Sequence, residues 1–238
     1  MRRITIVVLL LLAACARRSS PPQAQAKVFG AALVEVSGSR QAAGIGMAVD
    51  QTLVVQVNDA HGSPVAGAPV WFHAAGGAVL NPAMGLTGSD GQFSATLTLG
   101  GSAGRYQVVA RSRDTSGKEF EIRMDEIALG YQQMQGRQLN EQHCVRCHES
   151  ESSAERVSNH DNLSKAPHSF TDGGVLNAMS DSDLESIISH GGPALNRSPE
   201  MPPYGYTLSK TEIEAVMAYI RAVSDPPYRP KGLIYASR

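Results

Sequence analysis

Cys144-Val145-Arg146-Cys147-His148 is the stretch that decides how the C-terminal half of this sequence folds. Two cysteines separated by two residues, with a histidine directly after the second, form the attachment pattern of a c-type haem. Each thiol can form a thioether with a vinyl group on one haem edge, and the next imidazole can then reach the iron. The pentapeptide therefore predicts one covalent haem (heme c), attached through Cys144 and Cys147, with His148 as an iron ligand.

Two other chemistries use a similar pair of thiols, and each makes a further demand of the sequence. A thioredoxin-like redox pair follows a strand in an alternating strand–helix pattern, which is not present here. A zinc site needs a second pair of ligands, and the remaining cysteine, Cys15, lies in a leader. Both observations favour haem attachment.

The N-terminus has the features of an export signal. Arg2-Arg3 supplies positive charge, and the apolar run after it is too short to span a membrane comfortably. Leu12-Ala13-Ala14-Cys15 resembles a bacterial lipobox, which implies that Cys15 carries lipid; an ordinary secretory signal is the alternative. We expect residues 1–15 to be a lipoprotein signal with its lipidation cysteine, and residues 16–27 to be a flexible tether.

Charge and cysteine usage narrow the possible functions. The 238 residues carry 21 Lys and Arg against 22 Asp and Glu, so we predict no nucleic-acid partner and no polybasic membrane patch. With Cys15 assigned to lipid and the other two cysteines to haem, no thiol remains for a disulfide.

Residues 28–124 alternate apolar and polar positions in short runs, such as Leu53 to Val57, that are broken by Gly, Pro, Asn and Asp. This spacing predicts a β-sandwich. The runs from Leu53 to Phe72 and from Ala103 to Ala110, with Ser89-Asp90-Gly91 between them, resemble the bacterial Ig-like domain of the invasin/intimin type. The resemblance implies seven to nine strands and a role as spacer, adhesion module or docking surface, without chemistry of its own.

Three side chains of this segment are candidate ligand groups. We expect Trp71 to be in the core or half-buried, and His61 to lie in a solvated turn. His73 has no carboxylate or cysteine at metal-ligand spacing, so we predict no site in this segment.

The apolar spacing becomes helical at residue 127, which predicts an all-α domain over residues 127–225 and a tail over residues 226–238. Ser180 and Ser209 are predicted N-caps of two later helices. The residues assigned to one face of a first helix are Ile127, Tyr131, Met134 and Leu139.

Met201 is the predicted second iron ligand. It follows Ser198-Pro199-Glu200 and precedes Pro202-Pro203, and a thioether is a soft ligand that suits low-spin haem iron. The alternatives are His190, which closes a helix, Met179, which precedes a cap, and an open or otherwise filled sixth position on the iron. The remaining candidates are predicted at the surface or the haem edge (His143, His160 and His168) or packed in the last helix (Met217).

The order of haem motif, proline, methionine and closing helix resembles class I cytochrome c. The resemblance implies that Pro167 offers its backbone carbonyl to the far nitrogen of His148, which fixes the tautomer of the iron ligand. It also implies that Gly136 lets the first and last helices cross closely, with Tyr219 of the last helix packed nearby.

The expected protein is multidomain, with an all-β Ig-like sandwich followed by an all-α cytochrome c domain. An iron ligated by His148 and Met201 has no free position for substrate, so we expect a one-electron carrier and not an enzyme. Redox partner proteins and, through Cys15, a membrane are the expected partners, in the bacterial cell envelope, at the outer membrane facing the periplasm or the exterior. The alternatives are a haem-based sensor or gas-binding module, an adhesion module, and an electron-transfer subunit of a larger dehydrogenase complex.

Overall fold

The computed structural model describes residues 30–149 and 158–230. The predicted leader, its Cys15, the tether and the last eight residues of the predicted tail lie outside this part of the chain. The strands within it are Ala32–Ser37 (β1), Ala42–Gly44 (β2), Leu53–Asn58 (β3), Pro69–Ala74 (β4), Val79–Asn81 (β5), Met84–Leu86 (β6), Gln92–Thr98 (β7), Gly104–Arg113 (β8) and Glu119–Leu129 (β9). The α-helices are Tyr131–His143 (α1), Val145–His148 (α2), Gly173–Leu176 (α3), Asp181–His190 (α4) and Lys210–Val223 (α5).

The strands form two sheets, which confirms the predicted sandwich. One sheet has the order β1-β3-β7-β5 and the other the order β2-β9-β8-β4-β6. Only β2 pairs in parallel, with β9, among the strand pairs of the described residues. The helices follow the sandwich in the chain, as the sequence predicts.

Alternating side chains build the sandwich core. Leu53, Val55 and Val57 of β3 are fully buried, whereas the residues between them are half-buried. Period-two alternation sends these side chains to one face of the sheet, where the second sheet covers them. Trp71 is half-buried beneath the Arg113 guanidinium, which lies 4.9 Å from its ring, and His61 is exposed, as predicted.

Aspartates shape the turns between the strands. The Asp59 carboxylate accepts the backbone N–H groups of His61 and Ser63 at 2.8 and 2.9 Å. Asp114 does the same for Ser116 and Lys118 in the β8–β9 hairpin. Hydrogen bonds to an ionised carboxylate lower its pKa. The pKa of Asp59 is lowered by these backbone bonds, and that of Asp114 mainly by the Ser116 hydroxyl, which also donates to its carboxylate, with the backbone bonds adding to the effect.

Both predicted N-caps are present in the helical part. The Ser180 hydroxyl accepts the backbone N–H of Asp183 at the start of α4, and the Ser209 hydroxyl accepts that of Glu212 at the start of α5. In each case the acidic side chain bonds back to the serine N–H, which completes a capping box. These caps fix where the two helices that line the site begin.

The prediction that Ile127 belongs to the first helix is wrong. Strand β9 continues to Leu129, because Ala42–Gly44 pairs with Ile127–Leu129 along its free edge. Gly130 alone separates this strand from α1. Tyr131, assigned to the same apolar face, is 88% exposed, so the buried face of α1 is narrower than the spacing suggested. No helix of the described residues is long and apolar enough to cross a membrane.

Candidate cofactor site

The site begins where α1 crosses α5. A Cβ on Gly136 would overlap the backbone carbonyl of Ala215 and would stand 2.8 Å from the Cβ of Tyr219. The absence of a side chain at Gly136 therefore permits the close crossing that the sequence predicts. The C-terminal end of α1 leads directly into the haem motif, and the Cys144 N–H donates to the Asn140 carbonyl at 2.8 Å.

A single turn of helix presents the motif to one cleft. The N–H groups of Cys147 and His148 both donate to the Cys144 carbonyl at 3.0 Å. Both cysteines line the cleft together with His148. The spacing of the pentapeptide thus places two thiols and an imidazole on one surface.

The cleft is large and apolar. The cleft and the open solvent at its mouth together amount to about 1250 Å³. Leu184 and Ile188 of α4 and Val216 and Ile220 of α5 form part of its walls. These dimensions and walls fit a large, flat, mostly apolar cofactor.

The His148 ring is held in one orientation by a backbone carbonyl. Its Nδ1 lies 2.8 Å from the carbonyl oxygen of His168, so Nδ1–H donates and Nε2 is the nitrogen available to iron. This corrects the predicted acceptor, which was the carbonyl of Pro167: the loop conformation brings the carbonyl of the next residue to Nδ1. Pro167 itself lies in the cleft wall. Burial lowers the pKa of His148, which favours the neutral imidazole that a metal requires.

Burial has a related effect on Cys144. It raises the pKa of this thiol to about 12, with a smaller contribution from Cys147. A dithiol redox pair depends on a thiolate with a lowered pKa, so this environment does not favour a thioredoxin-like role. Among residues 30–149 and 158–230, no group of three or more His, Cys, Asp and Glu side chains could hold a metal ion. The two thiols therefore lack the further ligands of a zinc site in this part of the chain.

Met201 lies in the same cleft, on a loop fixed at several points. Its carbonyl accepts the N–H of Gly192 at 3.1 Å. The Tyr204 hydroxyl donates to the His143 carbonyl at 2.7 Å and joins this loop to the end of α1. Next to Met201, the Glu200 carboxylate accepts the N–H of Ser164 at 3.0 Å. The thioether is thus carried by a segment bonded to the helix that leads into the haem motif.

The alternative ligands lie in different positions. His190 is not among the residues lining the described cleft, and its Nδ1 lies 3.2 Å from the Ser186 carbonyl in the last turn of α4. Met179 lines the cleft, and its backbone carbonyl accepts a hydrogen bond of 2.7 Å from the Arg221 guanidinium. Met217 packs against the core of the helical part, as predicted.

The other histidines are close to their expected places. His143 and His168 line the cleft, and His168 also approaches the Asp172 carboxylate at 2.9 Å. His160 is half-buried in a short 3₁₀ turn beside Asp161.

Sequence reasoning missed Phe170 and Tyr204. Phe170 places its ring 4.8 Å from that of His148, and Tyr204 anchors the methionine loop. An aromatic residue on a proline-rich loop is a weak signal for such an anchor. Nothing in the sequence indicates that the Phe170 ring faces His148.

The residues present fit a c-type haem. The two thiols, the imidazole with its Nδ1 already bonded and the Met201 thioether line one apolar cleft. Cys144 and Cys147 would form the thioethers, and His148 and Met201 would be the iron ligands.

Comparisons with known proteins agree with this division of the chain. The family model for the bacterial Ig-like domain (group 1) matches residues 48–124. The model for cytochrome c oxidase, cbb3-type, subunit III, matches residues 132–220. A search of curated proteins found no match.

Solved structures with similarity to this chain include bacterial adhesins. The D00-D0 domain of intimin is 22% identical with a TM-score of 0.33, over 43% of this chain and 48% of that chain. Invasin, a bacterial integrin-binding protein, is 23% identical with a TM-score of 0.33, over 41% of this chain and 19% of that chain. The Escherichia coli adhesin FdeC is 23% identical with a TM-score of 0.29, over 41% of this chain and 30% of that chain. The chain spans less than half the length of each.

Fold and site define a protein of two modules, an Ig-like sandwich followed by a helical cytochrome c domain. The cytochrome c domain implies a haem cofactor and an electron-transfer function.

Proposed function

We propose that this protein is a c-type cytochrome that carries single electrons on one haem, attached through Cys144 and Cys147 and ligated by His148 and Met201. The observation that supports the proposal is the convergence of these four side chains on one apolar cleft. When bound, the haem supplies a reversible one-electron change at its iron.

The residues around the cleft serve this chemistry by limiting movement. The bond from His148 to the His168 carbonyl fixes the imidazole tautomer and increases its basicity toward iron. The bonds of the Met201 loop to Gly192 and, through Tyr204, to His143 hold the thioether in one place. The mostly apolar walls limit the number of polar groups and waters around the site, so a change of charge requires little reorganisation of the surroundings.

The ligand assignment is tested by the reduction potential. Met201→Ala is expected to lower the equilibrium constant for reduction at least a hundredfold, about 120 mV for one electron, because thioether ligation raises the potential. It should also abolish the sulfur-to-iron charge-transfer band of the oxidised protein. Redox titration with absorption spectroscopy measures both.

Met179→Ala is the matched control, because Met179 lines the same cleft. We expect it to keep the band and most of the potential, and His190→Ala to do the same. An unchanged spectrum and potential in Met201→Ala would show that Met201 is not the ligand.

We also propose that lipid on Cys15 tethers the protein to a membrane of the bacterial cell envelope. Its redox partners would then reach it from the periplasm or from the cell exterior. The lipobox-like quartet before Cys15 supports this. Cys15→Ser is expected to move the protein from the membrane fraction to the soluble fraction. Equal membrane retention of this variant would refute the anchor.

A second candidate is an electron-transfer subunit of a larger oxidoreductase complex. The match to the model for subunit III of a cbb3-type oxidase favours it. Such a subunit would co-migrate with other polypeptides in native electrophoresis of solubilised membranes, whereas an independent carrier would migrate alone.

A further inference from the structure

The sandwich and the haem-binding helices share one apolar cluster. Ile127 and Leu129 of β9 are buried against Val223 at the end of α5. Phe170 and Tyr219, from the helical part, pack against this cluster. The last strand of the sandwich is therefore also part of the interior of the helical domain.

Polar contacts reinforce this junction. The Arg105 guanidinium of β8 donates to the carbonyl of Ser224, directly after α5. Arg137 of α1 donates to the carbonyl of Ala42 in β2 and forms an ion pair with Asp50 at 3.3 Å. Because Gly130 is the only residue between β9 and α1, the chain leaves no free linker at this point.

Phe170 connects this junction to the iron ligand. Its ring centroid lies 4.8 Å from that of His148, with the planes inclined by 49°, and 6.5 Å from that of Tyr219. His148 is thus restrained in two ways, by the hydrogen bond from Nδ1 to the His168 carbonyl and by its contact with the tilted Phe170 ring. A tilted ring pair at this distance is a favourable arrangement.

We propose that Phe170 is a positioning residue for the His148 ring, and that strand β9 of the Ig-like domain holds Phe170 in place. The sandwich then supports the iron ligand and is more than a spacer. This inference rests on the proposed haem function.

The test uses the full-length, haem-loaded protein and the variants Phe170→Leu, Phe170→Tyr and Ile127→Ala. Phe72→Leu is the matched control, because Phe72 is buried in the sandwich core and stacks on Phe93 at 5.8 Å. For each protein we would measure the midpoint potential and the electron paramagnetic resonance g-values of the oxidised haem, which report the orientation of the axial ligands. Chemical unfolding serves as the measure of stability.

Phe170→Leu is expected to lower the equilibrium constant for reduction at least threefold, about 30 mV for one electron, and to shift the g-values. The loss of the ring lets His148 rotate and admits water, which favours the more highly charged oxidised haem. Phe170→Tyr keeps the aromatic ring, so its midpoint potential and g-values should equal those of the wild type. Ile127→Ala should shift the potential in the same direction by a smaller amount.

Phe72→Leu should lower stability without moving the potential. The role of Phe170 is refuted if Phe170→Leu changes stability but leaves potential and g-values as in the control. The role of β9 is refuted if Ile127→Ala lowers stability but leaves the potential and the g-values unchanged. Wild-type protein without bound haem, or with a spectrum unaffected by His148→Ala, would instead refute the proposed function.

Discussion

Gly136→Ala is expected to lower the free energy of unfolding of the helical domain by roughly 2 kcal/mol. Helix propensity alone favours alanine by about 1 kcal/mol. The added Cβ, however, overlaps the Ala215 carbonyl and approaches Tyr219, and relieving such overpacking typically costs about 1–3 kcal/mol or more. Because backbone has to move, the steric cost outweighs the gain in propensity.

Denaturant unfolding of the haem-loaded protein, followed by haem absorbance, reports the domain in which Gly136 lies. Gly101→Ala is the control, because a Cβ at Gly101 meets no atom within 4 Å. We expect Gly101→Ala to leave stability within about 0.5 kcal/mol of wild type. Stabilisation by Gly136→Ala would mean that α1 and α5 do not cross as closely as described.

Glu126→Gln is expected to stabilise the sandwich at pH 8 and to remove most of its pH dependence between pH 5 and pH 8. Glu126 is fully buried in β9, and its Oε2 accepts the Gln41 N–H at 2.7 Å, whereas Oε1 has no partner among the described residues. Burial raises the pKa of Glu126 to about 8, and the carboxylates of Glu35 and Asp125 act in the same direction.

The sign of this effect follows from proton binding. Between the ordinary carboxyl pKa and the raised one, the folded protein holds a proton at Glu126 that the unfolded chain has lost. Wild-type stability therefore falls as the pH rises through this range, by a total on the order of 3 kcal/mol. A glutamine at this position has no proton to lose, so the fall disappears.

Trp71 is the single tryptophan of the chain and lies in strand β4 of the sandwich. Its fluorescence therefore reports the unfolding of the sandwich. Glu121→Gln is the control on the same strand, because Glu121 forms ion pairs with Arg111 and Arg123 at the surface. These arginines lower the pKa of Glu121, so its titration lies below this pH range. A flat wild-type profile from pH 5 to pH 8 would contradict a raised pKa for the buried Glu126 carboxyl group.

The sequence predicted those features of the site and of the helix starts that depend on contacts between residues close together in the chain. The spacing of Cys144, Cys147 and His148 fixed a one-turn geometry that brings them to one surface. Ser180 and Ser209 each stand three residues before an acidic side chain, and both form the capping boxes that this spacing favours.

The errors arise where non-local contacts decide the structure. Ile127 stands at helical spacing from Tyr131, yet it belongs to a strand because β2, from the start of the sandwich, pairs with it. The carbonyl that binds His148 belongs to His168 and not to Pro167, since backbone carbonyls carry no sequence identity and the loop conformation selects between neighbours.

The contact between Phe170 and His148 has the same origin. It joins residues 148 and 170 through a cluster that includes residues 127 and 129 of the sandwich. No periodicity within a single segment encodes such an arrangement.

Covalent attachment of haem at Cys144 and Cys147 is measured by acid–organic solvent extraction of the purified protein, matured in cells that attach c-type haem. In the wild type we expect haem absorbance to remain with the polypeptide after extraction, because thioethers at Cys144 and Cys147 survive denaturation. In the Cys144→Ser, Cys147→Ser double variant it should pass into the solvent or be absent. Haem that leaves the wild-type chain under these conditions would contradict covalent attachment at this motif.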